Sequence, residues 1–470
     1  MSTTPTSSTP SGSSRRSGAT IGFVSLVCLV IGNMIGSGVY ISSSYALGAL
    51  GDARLVLVAW ALGGLHAICG SVAYAALARR ISISGGEYAF LSRFVHPAIG
   101  FTAGWISLIA GFTAPIATAA LVFGEYICAT PQATTEARTV ATIWIVLCAL
   151  FHWINLRTGS WVNNGVVLLK MIGFVIFGAA CIRFLYMGTV AHPVTPFAPA
   201  LDRSLGEFDY LKQLTQPNLL FLMLIQLFFI ALSYTGFNAS IYIAGEVAPA
   251  DDDRSAPRSS SIPSSMIVAC VAVTAIYLVL NYLFLACDTK ESILDGKDYF
   301  VSGVAMRVGG VPLQWVMRIT IALSSATSVL AMIATGPRVY AQMARDGWLP
   351  RWFGADEEVP RNAIVVQAIL SCCIVWLASV LQLISYLGIT LTACGALATS
   401  TLWIAYRELH ARRPIAWWEH VCLAIYVAGA ILLLVAAWYV QRTQFLLSAA
   451  TFASGLLVYA IMRLQRAASA

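Results

Sequence analysis

The segment IGNMIGSGVY (31–40) places small and polar side chains in the middle of an apolar stretch. Three glycines, an asparagine and a serine fall between Gly32 and Gly38. Because each glycine costs a helix interior about 1 kcal/mol relative to alanine, the cluster predicts a break in a helix. Unwinding frees main-chain N–H and C=O groups, and these groups are expensive to leave unpaired away from water. The freed groups are therefore expected to bind something.

A second cluster, SYTGFN (233–238), interrupts the apolar stretch QLFFIALSYTGFNASIYIAG (226–245). The uncharged run that contains the first cluster has 35 residues, and the run that contains the second has 33. A helix of 35 residues would be about 52 Å long, whereas a bilayer core is about 30 Å thick. Two interrupted helices at corresponding positions of two halves indicate the substrate site of a membrane transporter.

The chemistry of such a break suits a ligand with two opposite charges. The half-helix after the break presents N–H groups and a positive dipole end to a carboxylate. The half-helix before it presents carbonyls, which suit an ammonium or another cation, and an α-amino acid carries both groups on adjacent atoms. The spacing Gly32-x-x-x-Gly36 also fits a motif of close helix packing. Two clusters in two over-long spans favour the broken-helix interpretation.

Lys170 is the one lysine inside a predicted span, and 12 uncharged residues lie on either side of it. A lysine at this depth costs about 2.5–3.5 kcal/mol and should face the protein interior, where it is either neutral or stabilised by backbone carbonyls. One interpretation is a structural role in an internal polar cluster. The other is that its amine takes the place of a bound cation, or changes protonation and permits proton coupling.

The composition requires a membrane to surround these elements. Of 470 residues, 59% are hydrophobic and 10% are charged, whereas soluble domains average about a quarter charged residues. The chain is predicted to be an all-α polytopic membrane protein with 12 transmembrane helices. The predicted spans are 20–47, 54–79, 95–127, 139–156, 161–187, 216–246, 263–287, 313–344, 363–382, 385–406, 418–440 and 444–464. The hairpin between the ninth and tenth spans is placed at Gln382, Ser385 and Gly388.

The basic residues predict the orientation. With the N-terminus inside, 17 lysines and arginines fall on inner segments and 10 on outer ones. Both termini are therefore expected to be cytoplasmic, in a plasma or inner membrane, with residues 1–18 as a disordered cytoplasmic tail. The excess of lysine and arginine on the inner segments accounts for the net charge of +7. No nucleic-acid partner, cofactor or metal is expected, since the sequence has no basic patch and no C-x-x-C pair.

Four segments resemble motifs of the amino acid–polyamine–organocation (APC) superfamily of permeases. They are IGNMIGSGVY (31–40), SGGEYAFLSR (84–93), GFNASIYIAGEV (236–247) and ATGPRVYAQMARDGWLP (334–350). The resemblance extends over essentially the whole chain. It implies alternating access and a 5+5 inverted repeat with broken helices 1 and 6, followed by two extra C-terminal helices. The transporter domain would then be 19–470, with repeats at 19–187 and 213–406 and the last two helices at 418–464.

The resemblance also implies which residues bind the substrate. Gly36, Ser37 and Gly38 would meet its carboxylate. The residues that would offer carbonyls to its ammonium or line the pocket are Met34, Ile35, Leu232, Tyr234, Thr235 and Gly236. Lys170 matches the fifth-helix lysine of sodium-independent members, with Ser324 and Ser325 in its polar surroundings.

The chain departs from the family pattern at the expected gate. Leu232 stands where many relatives have an aromatic residue, so Phe229 or Phe237 would have to replace it. Ala76 stands where many relatives have a glutamate.

We expect a sodium-independent amino acid transporter, selective for neutral substrates, that works as an exchanger or a proton symporter. A carrier of polyamines or cationic amino acids is one alternative, and a receptor or channel that binds an amino acid without transporting it is another. An enzyme is not expected, because the sequence shows no catalytic constellation at membrane depth. The sequence leaves open whether an accessory subunit binds.

Overall fold

The computed structural model describes residues 22–36, 38–81, 85–129, 134–154, 159–187, 219–246, 261–289, 292–294, 300–354 and 359–469. In 159–164, 243–246 and 467–469 it describes the main chain alone. These parts of the chain are helical and contain no strand, so the predicted all-α class is confirmed. The predicted tail, 1–18, lies outside the described residues, and so does Ser37.

Sixteen α-helices follow one another along the described residues. In the first half they are α1 (Phe23–Met34), α2 (Gly38–Leu50), α3 (Ala53–Ala78), α4 (Gly86–Phe94), α5 (Pro97–Ile106), α6 (Ala114–Cys128), α7 (Thr135–Ile154) and α8 (Gly159–Tyr186). In the second half they are α9 (Leu219–Ser233), α10 (Ser261–Ala286), α11 (Phe300–Arg345), α12 (Arg361–Leu377), α13 (Val380–Ile404), α14 (Tyr406–Arg412), α15 (Trp417–Val440) and α16 (Arg442–Ser469). A π-helical segment, Ser107–Thr113, joins α5 to α6, and 3-10 helices occupy Ala239–Glu246 and Arg351–Phe353.

The bundle has the length and surface of a membrane protein. Nine spans in the described residues are long and apolar enough to cross a bilayer, or ten if the bent pair α1–α2 counts as one crossing. Two shorter helices, α9 and α12, are also apolar. Large apolar side chains point outward, for example Val175, which is 70% exposed, and Leu457, which is 62% exposed. Such an exterior is suited to lipid rather than water.

The predicted hairpin between the ninth and tenth spans is wrong. The α12 helix ends at Leu377 and α13 begins at Val380, so the turn lies several residues earlier than expected. The residues assigned to it lie inside α13: Gln382, Ser385 and Gly388. The reason is a capping box, in which Ser379 Oγ accepts from the Gln382 N–H and the Gln382 side chain accepts from the Ser379 N–H. This exchange satisfies two donors at the helix start, so the polar residues begin a helix instead of a loop.

The helix that contains the eighth span begins earlier than predicted. It runs from Phe300 instead of 313, and it is interrupted at Gly309 and Gly310. Gly310 has φ +65°, a conformation that L side chains rarely adopt, so this interruption depends on glycine.

The packing places both predicted breaks inside the bundle. The α1 helix packs against α8, α10 and α11, and α2 packs against α9. The 3-10 helix Ala239–Glu246 packs against α1 and α10, and α10 in turn packs along α3. Residues at the breaks are therefore screened from the lipid-facing surface by neighbouring helices.

A buried ion pair anchors α15 to the end of α3. Arg80 Nη2 lies 2.8 Å from a carboxylate oxygen of Glu419, and the exposed fractions of the two side chains are 1% and 3%. Arg79 donates to the same carboxylate, and Arg80 also donates to the carbonyls of Arg413 and Pro414. This network satisfies a charge that would be costly to bury alone.

Candidate functional site

The first break follows Met34, where α1 ends. Ile35 leaves helical geometry with φ −79° and ψ 82°, and Gly36 donates its N–H to the Met34 carbonyl over 2.9 Å. The chain becomes helical again at Gly38, and the axes of α1 and α2 differ by 43°. The sequence therefore identified a real interruption at this position.

The second break follows Ser233, where α9 ends. Tyr234–Asn238 form a turn in which the N–H groups of Tyr234 and Thr235 donate to the carbonyls three residues earlier. Gly236 has φ +96°, which L side chains rarely adopt. The chain then continues as a 3-10 helix, Ala239–Glu246, whose hydrogen-bond geometry is poorer than that of an α-helix.

The two breaks are in direct contact. A Cβ built on Gly236 would lie 3.1 Å from the main-chain carbon and oxygen of Asn33. A Cβ built on Gly38 would lie 2.4 Å from Ser233 Oγ and 2.9 Å from Ser233 Cα. The close approach to Ser233 requires glycine at position 38, and at position 236 the φ of +96° requires it in addition to the tight contact with Asn33.

Tyr277 of α10 links the ends of the two helices. Its hydroxyl lies 2.7 Å from the Met34 carbonyl oxygen and 2.9 Å from that of Ser233, so it can donate to either. The ring is fully buried, with centroids 5.3 Å from Trp60 and 5.1 Å from Tyr234. Sequence reasoning missed Tyr277, since a tyrosine in an apolar helix gives no signal beyond its polar hydroxyl.

Lys170 of α8 also contacts the end of α1. Its side chain is fully buried. Its ammonium donates to the carbonyls of Gly32 over 3.4 Å and of Ile35 over 3.3 Å. These are carbonyls at the end of α1, where a helix carries partial negative charge, and a cation is favoured there.

The serines of α11 lie beside the first break. Ser324 Oγ lies 3.4 Å from the Tyr40 hydroxyl of α2 and donates to the Thr320 carbonyl. Ser325 Oγ is buried without a hydrogen-bond partner among the described residues. Ser328, which sequence reasoning did not single out, has its hydroxyl 3.9 Å from a Cβ built on Gly36. The hydrogen bonds described for Lys170 go to main-chain oxygens instead of to these serines.

Several of the expected binding groups already have partners. The Leu232 carbonyl accepts from both the N–H and the Oγ1 of Thr235, and its two lone pairs are therefore both used. The Met34 carbonyl accepts from the Gly36 N–H, and it shares the Tyr277 hydroxyl with the Ser233 carbonyl. An ammonium that bound to either of them would have to displace a present donor.

The side chains expected to line a pocket divide into two groups. Tyr234 packs toward α3, where its hydroxyl donates to the Trp60 carbonyl over 3.0 Å. Phe237 packs against the rings of Tyr74 and Tyr426, and Phe229 is also buried. Leu232, Thr235 and Gly236 are only partly buried, so they are the second-break residues that remain accessible.

Taken together, the site offers main-chain donors next to main-chain acceptors. The first turn of α2, from Gly38, begins with N–H groups that have no partner within the helix. The end of α1 supplies the carbonyls of Ile35 and Met34, with Tyr277 and Lys170 beside them. Such an arrangement can hold a small zwitterion by its two charged ends.

A family model described as "Amino acid permease" matches residues 21–462. The Asc-type amino acid transporter 1 of Mus musculus is 24% identical over 84% of this chain and 72% of its own length. The large neutral amino acids transporter small subunit 2 of Homo sapiens is 23% identical, and the match covers 84% of this chain and 71% of that protein.

A solved structure shares the fold. It is a nucleobase-cation-symport-1 family transporter in a closed conformation with bromovinylhydantoin bound, with a TM-score of 0.56 and 13% sequence identity. The match covers 90% of this chain and 93% of that one. At this level of identity the likeness concerns the arrangement of helices alone.

Proposed function

Since the chain belongs to the amino acid permease family, we propose that it is a secondary active transporter that carries a neutral amino acid without sodium. The family and the apolar helices make it a multi-pass integral membrane protein. The proposal includes 12 crossings in a 5+5 inverted repeat, with both termini in the cytoplasm. It also includes alternating access, either as an exchanger or with a coupled proton.

The proposal of sodium-independent transport rests on the contact of Lys170 with the end of α1. Its ammonium is bonded to the carbonyls of Gly32 and Ile35 at a helix end that attracts cations. A covalently attached ammonium at this position makes a dissolved cation unnecessary there. This supports transport that is independent of sodium.

The two helix ends support an α-amino acid as the substrate. The carboxylate would meet the first-turn N–H groups of α2, beginning at Gly38, together with Ser37. Gly36 would let the substrate approach the main chain closely. It would not donate a hydrogen bond, because its N–H already donates to the Met34 carbonyl. The ammonium would bind one of the two carbonyls that the Tyr277 hydroxyl reaches, those of Met34 and Ser233, and Tyr277 would then donate to the other.

A neutral side chain is favoured over a cationic one. The groups described at the breaks are main-chain atoms, hydroxyls, the amides of Asn33 and Asn238, apolar side chains and Lys170. The carboxylate next to Asn238, that of Glu87, already accepts from three side chains. A cationic side chain would give the substrate a net positive charge, which the Lys170 ammonium would repel. The similar proteins include one whose name specifies large neutral amino acids.

Uptake by purified protein in lipid vesicles tests this function. We expect a labelled neutral amino acid to enter at the same rate with and without a sodium gradient. An unlabelled neutral amino acid should compete, whereas a polyamine or lysine should not. Strict dependence on sodium would contradict the role given to Lys170.

Counterflow distinguishes a transporter from a receptor or channel. Vesicles preloaded with unlabelled substrate should accumulate label transiently above equilibrium, because an alternating-access protein exchanges one molecule for another. A channel would only equilibrate the label, and a receptor would bind it without uptake.

A further inference from the structure

The connection between α13 and α15 lies at the surface of the membrane. Both helices are long and apolar enough to cross a bilayer, and residues 405–416 separate them. The side chains at the two helix ends are exposed, Ile404 by 55% and Trp417 by 77%. Tryptophan is enriched at the level of the lipid headgroups. The short helix α14, which lies in this connection, is therefore placed among the headgroups.

Two arginines from different elements meet at one aromatic ring beside this connection. Arg412 of α14 has its guanidinium carbon 5.1 Å from the centroid of the Phe94 ring, and that of Arg93 of α4 lies 6.0 Å from the same centroid. Such distances are those of cation–π contacts. The α4 helix also packs against α13. Phe94 is 9% exposed, so its ring lies beneath the two cations.

The positive charge at this ring exceeds the negative charge. Arg412 donates to the Glu408 carboxylate over 2.7 Å. The ion pairs described for the chain do not include Arg93. The next carboxylate along the chain, that of Glu419, is buried in its ion pair with Arg80. Two guanidinium groups therefore face one carboxylate, which leaves a surplus of one positive charge.

Both guanidinium groups keep N–H donors for a ligand. Arg93 is exposed, and the side chain of Arg412 is 38% exposed. A guanidinium has five N–H groups, and Arg412 gives one of them to Glu408. Arginine binds phosphate through pairs of parallel hydrogen bonds. An anion at this position would also reduce the repulsion between the two cations.

A phospholipid fits this surface better than a soluble phosphate. The exposed Ile404 and Trp417 offer apolar contact to acyl chains at the level where lipid phosphates lie. A zwitterionic lipid carries its own cation next to the phosphate, and the arginines would repel it. An anionic lipid such as phosphatidylglycerol has no such cation. Its phosphodiester supplies the single negative charge that matches the surplus.

We propose that Arg93 and Arg412 bind the headgroup phosphate of an anionic phospholipid between α4 and α14. The lipid would hold α4 against the connection between α13 and α15. This site is separate from the substrate site and goes beyond the transport proposed above.

Native mass spectrometry of the full chain in detergent tests the proposal. The protein is titrated with phosphatidylglycerol and, in parallel, with phosphatidylcholine that has the same acyl chains. We expect phosphatidylglycerol to bind at least about tenfold more tightly, or about 1.4 kcal/mol. The soluble headgroup glycerophosphoglycerol should not compete at the same concentration. Equal affinity for the two lipids would overturn the proposal, and so would competition by the soluble headgroup.

Two substitutions on α14 distinguish this site from a general effect of charge. Arg412→Gln removes a charged hydrogen bond to the phosphate, so phosphatidylglycerol should bind roughly tenfold more weakly. Arg407→Gln removes the same charge from the same helix, where Arg407 is also exposed. Because Arg407 lies five positions earlier, it is about 140° away around the helix, and its loss should matter little. Equal weakening in the two variants would overturn the proposal.

Two further variants should change the affinity in opposite directions. Arg93→Gln should weaken the binding of phosphatidylglycerol as Arg412→Gln does, because both guanidinium groups lie at the Phe94 ring. Glu408→Gln removes the carboxylate that competes with the lipid for Arg412, so the lipid should bind more tightly. Unchanged affinity in Arg93→Gln or weaker binding in Glu408→Gln would contradict the proposed site.

The substituted side chains are exposed, so the variants should fold, and their melting temperatures in detergent check this. The titration needs no substrate. Its outcome is therefore independent of the transport proposed above.

Discussion

The hydroxyl of Tyr277 lies 2.7 Å from the main-chain oxygen of Met34, at the point where α1 ends. The same hydroxyl lies 2.9 Å from the oxygen of Ser233, where α9 ends. It has one proton and can donate to one of the two carbonyls at a time. If the substrate binds as proposed above, it would occupy one carbonyl and direct the hydroxyl to the other, which would couple the two broken helices.

Tyr277→Phe should destabilise the fold. Loss of the hydroxyl leaves the buried carbonyls of Met34 and Ser233 with fewer donors, at a cost of about 1–3 kcal/mol. The melting temperature of the purified variant measures the change. Tyr282→Phe on the same helix is the control, since Tyr282 is 55% exposed and faces away from the interior. Equal melting temperatures in the two variants would contradict the role of Tyr277.

Lys170→Met should strongly reduce sodium-independent uptake. The variant keeps an unbranched apolar side chain but removes the ammonium from the carbonyls of Gly32 and Ile35. We expect uptake in vesicles to fall by at least about tenfold, the equivalent of one charged hydrogen bond. Leu168→Met controls for the new methionine, because Leu168 is 63% exposed on the same helix. Full activity of Lys170→Met would show that the ammonium is not needed.

Gly38→Ala should disrupt the contact between α2 and α9. Its Cβ would lie 2.9 Å from the Ser233 Cα, a distance that real Cβ atoms essentially never show, so the helices must separate. Overpacking of this kind costs about 1–3 kcal/mol. Binding affinity and the melting temperature should both fall. Gly303→Ala is the matched control, since a Cβ there meets nothing within 4 Å.

Glu419→Ala should destabilise the fold without acting on the substrate site. It leaves the buried guanidinium of Arg80 without its carboxylate, and breaking a buried pair costs about 3–5 kcal/mol. The melting temperature of the purified variant, followed by tryptophan fluorescence, should be clearly lower. Glu408→Ala removes an exposed carboxylate and should change it little. Equal melting temperatures would show that the network contributes no stability.

The sequence was sufficient for the features that depend on local composition. Long uncharged runs predicted apolar helices, and the clusters Gly32–Gly38 and 233–238 predicted the two breaks, because glycine and polar residues disfavour a continuous helix wherever they occur. The single lysine inside a span stood out for the same reason.

Features that depend on contacts between distant residues were not predictable. Tyr277 and Met34 are 243 positions apart, and Tyr242 and Glu87 are 155 apart, so their hydrogen bonds leave no local pattern. The misplaced hairpin has a different cause. Gln382 suggested a turn by its polarity, whereas its side chain caps the start of α13 together with Ser379.

The covalent attachment of the Lys170 ammonium has an electrical consequence. A sodium ion that crossed with the substrate would gain about 2.3 kcal/mol for every 100 mV of membrane potential. The ammonium of Lys170 is part of the chain, so it would not cross the membrane with the substrate. In the exchange mode proposed above, one zwitterion would replace another and no net charge would move. The membrane voltage would then do no work on the cycle, and the two substrate concentrations alone would set the direction of exchange.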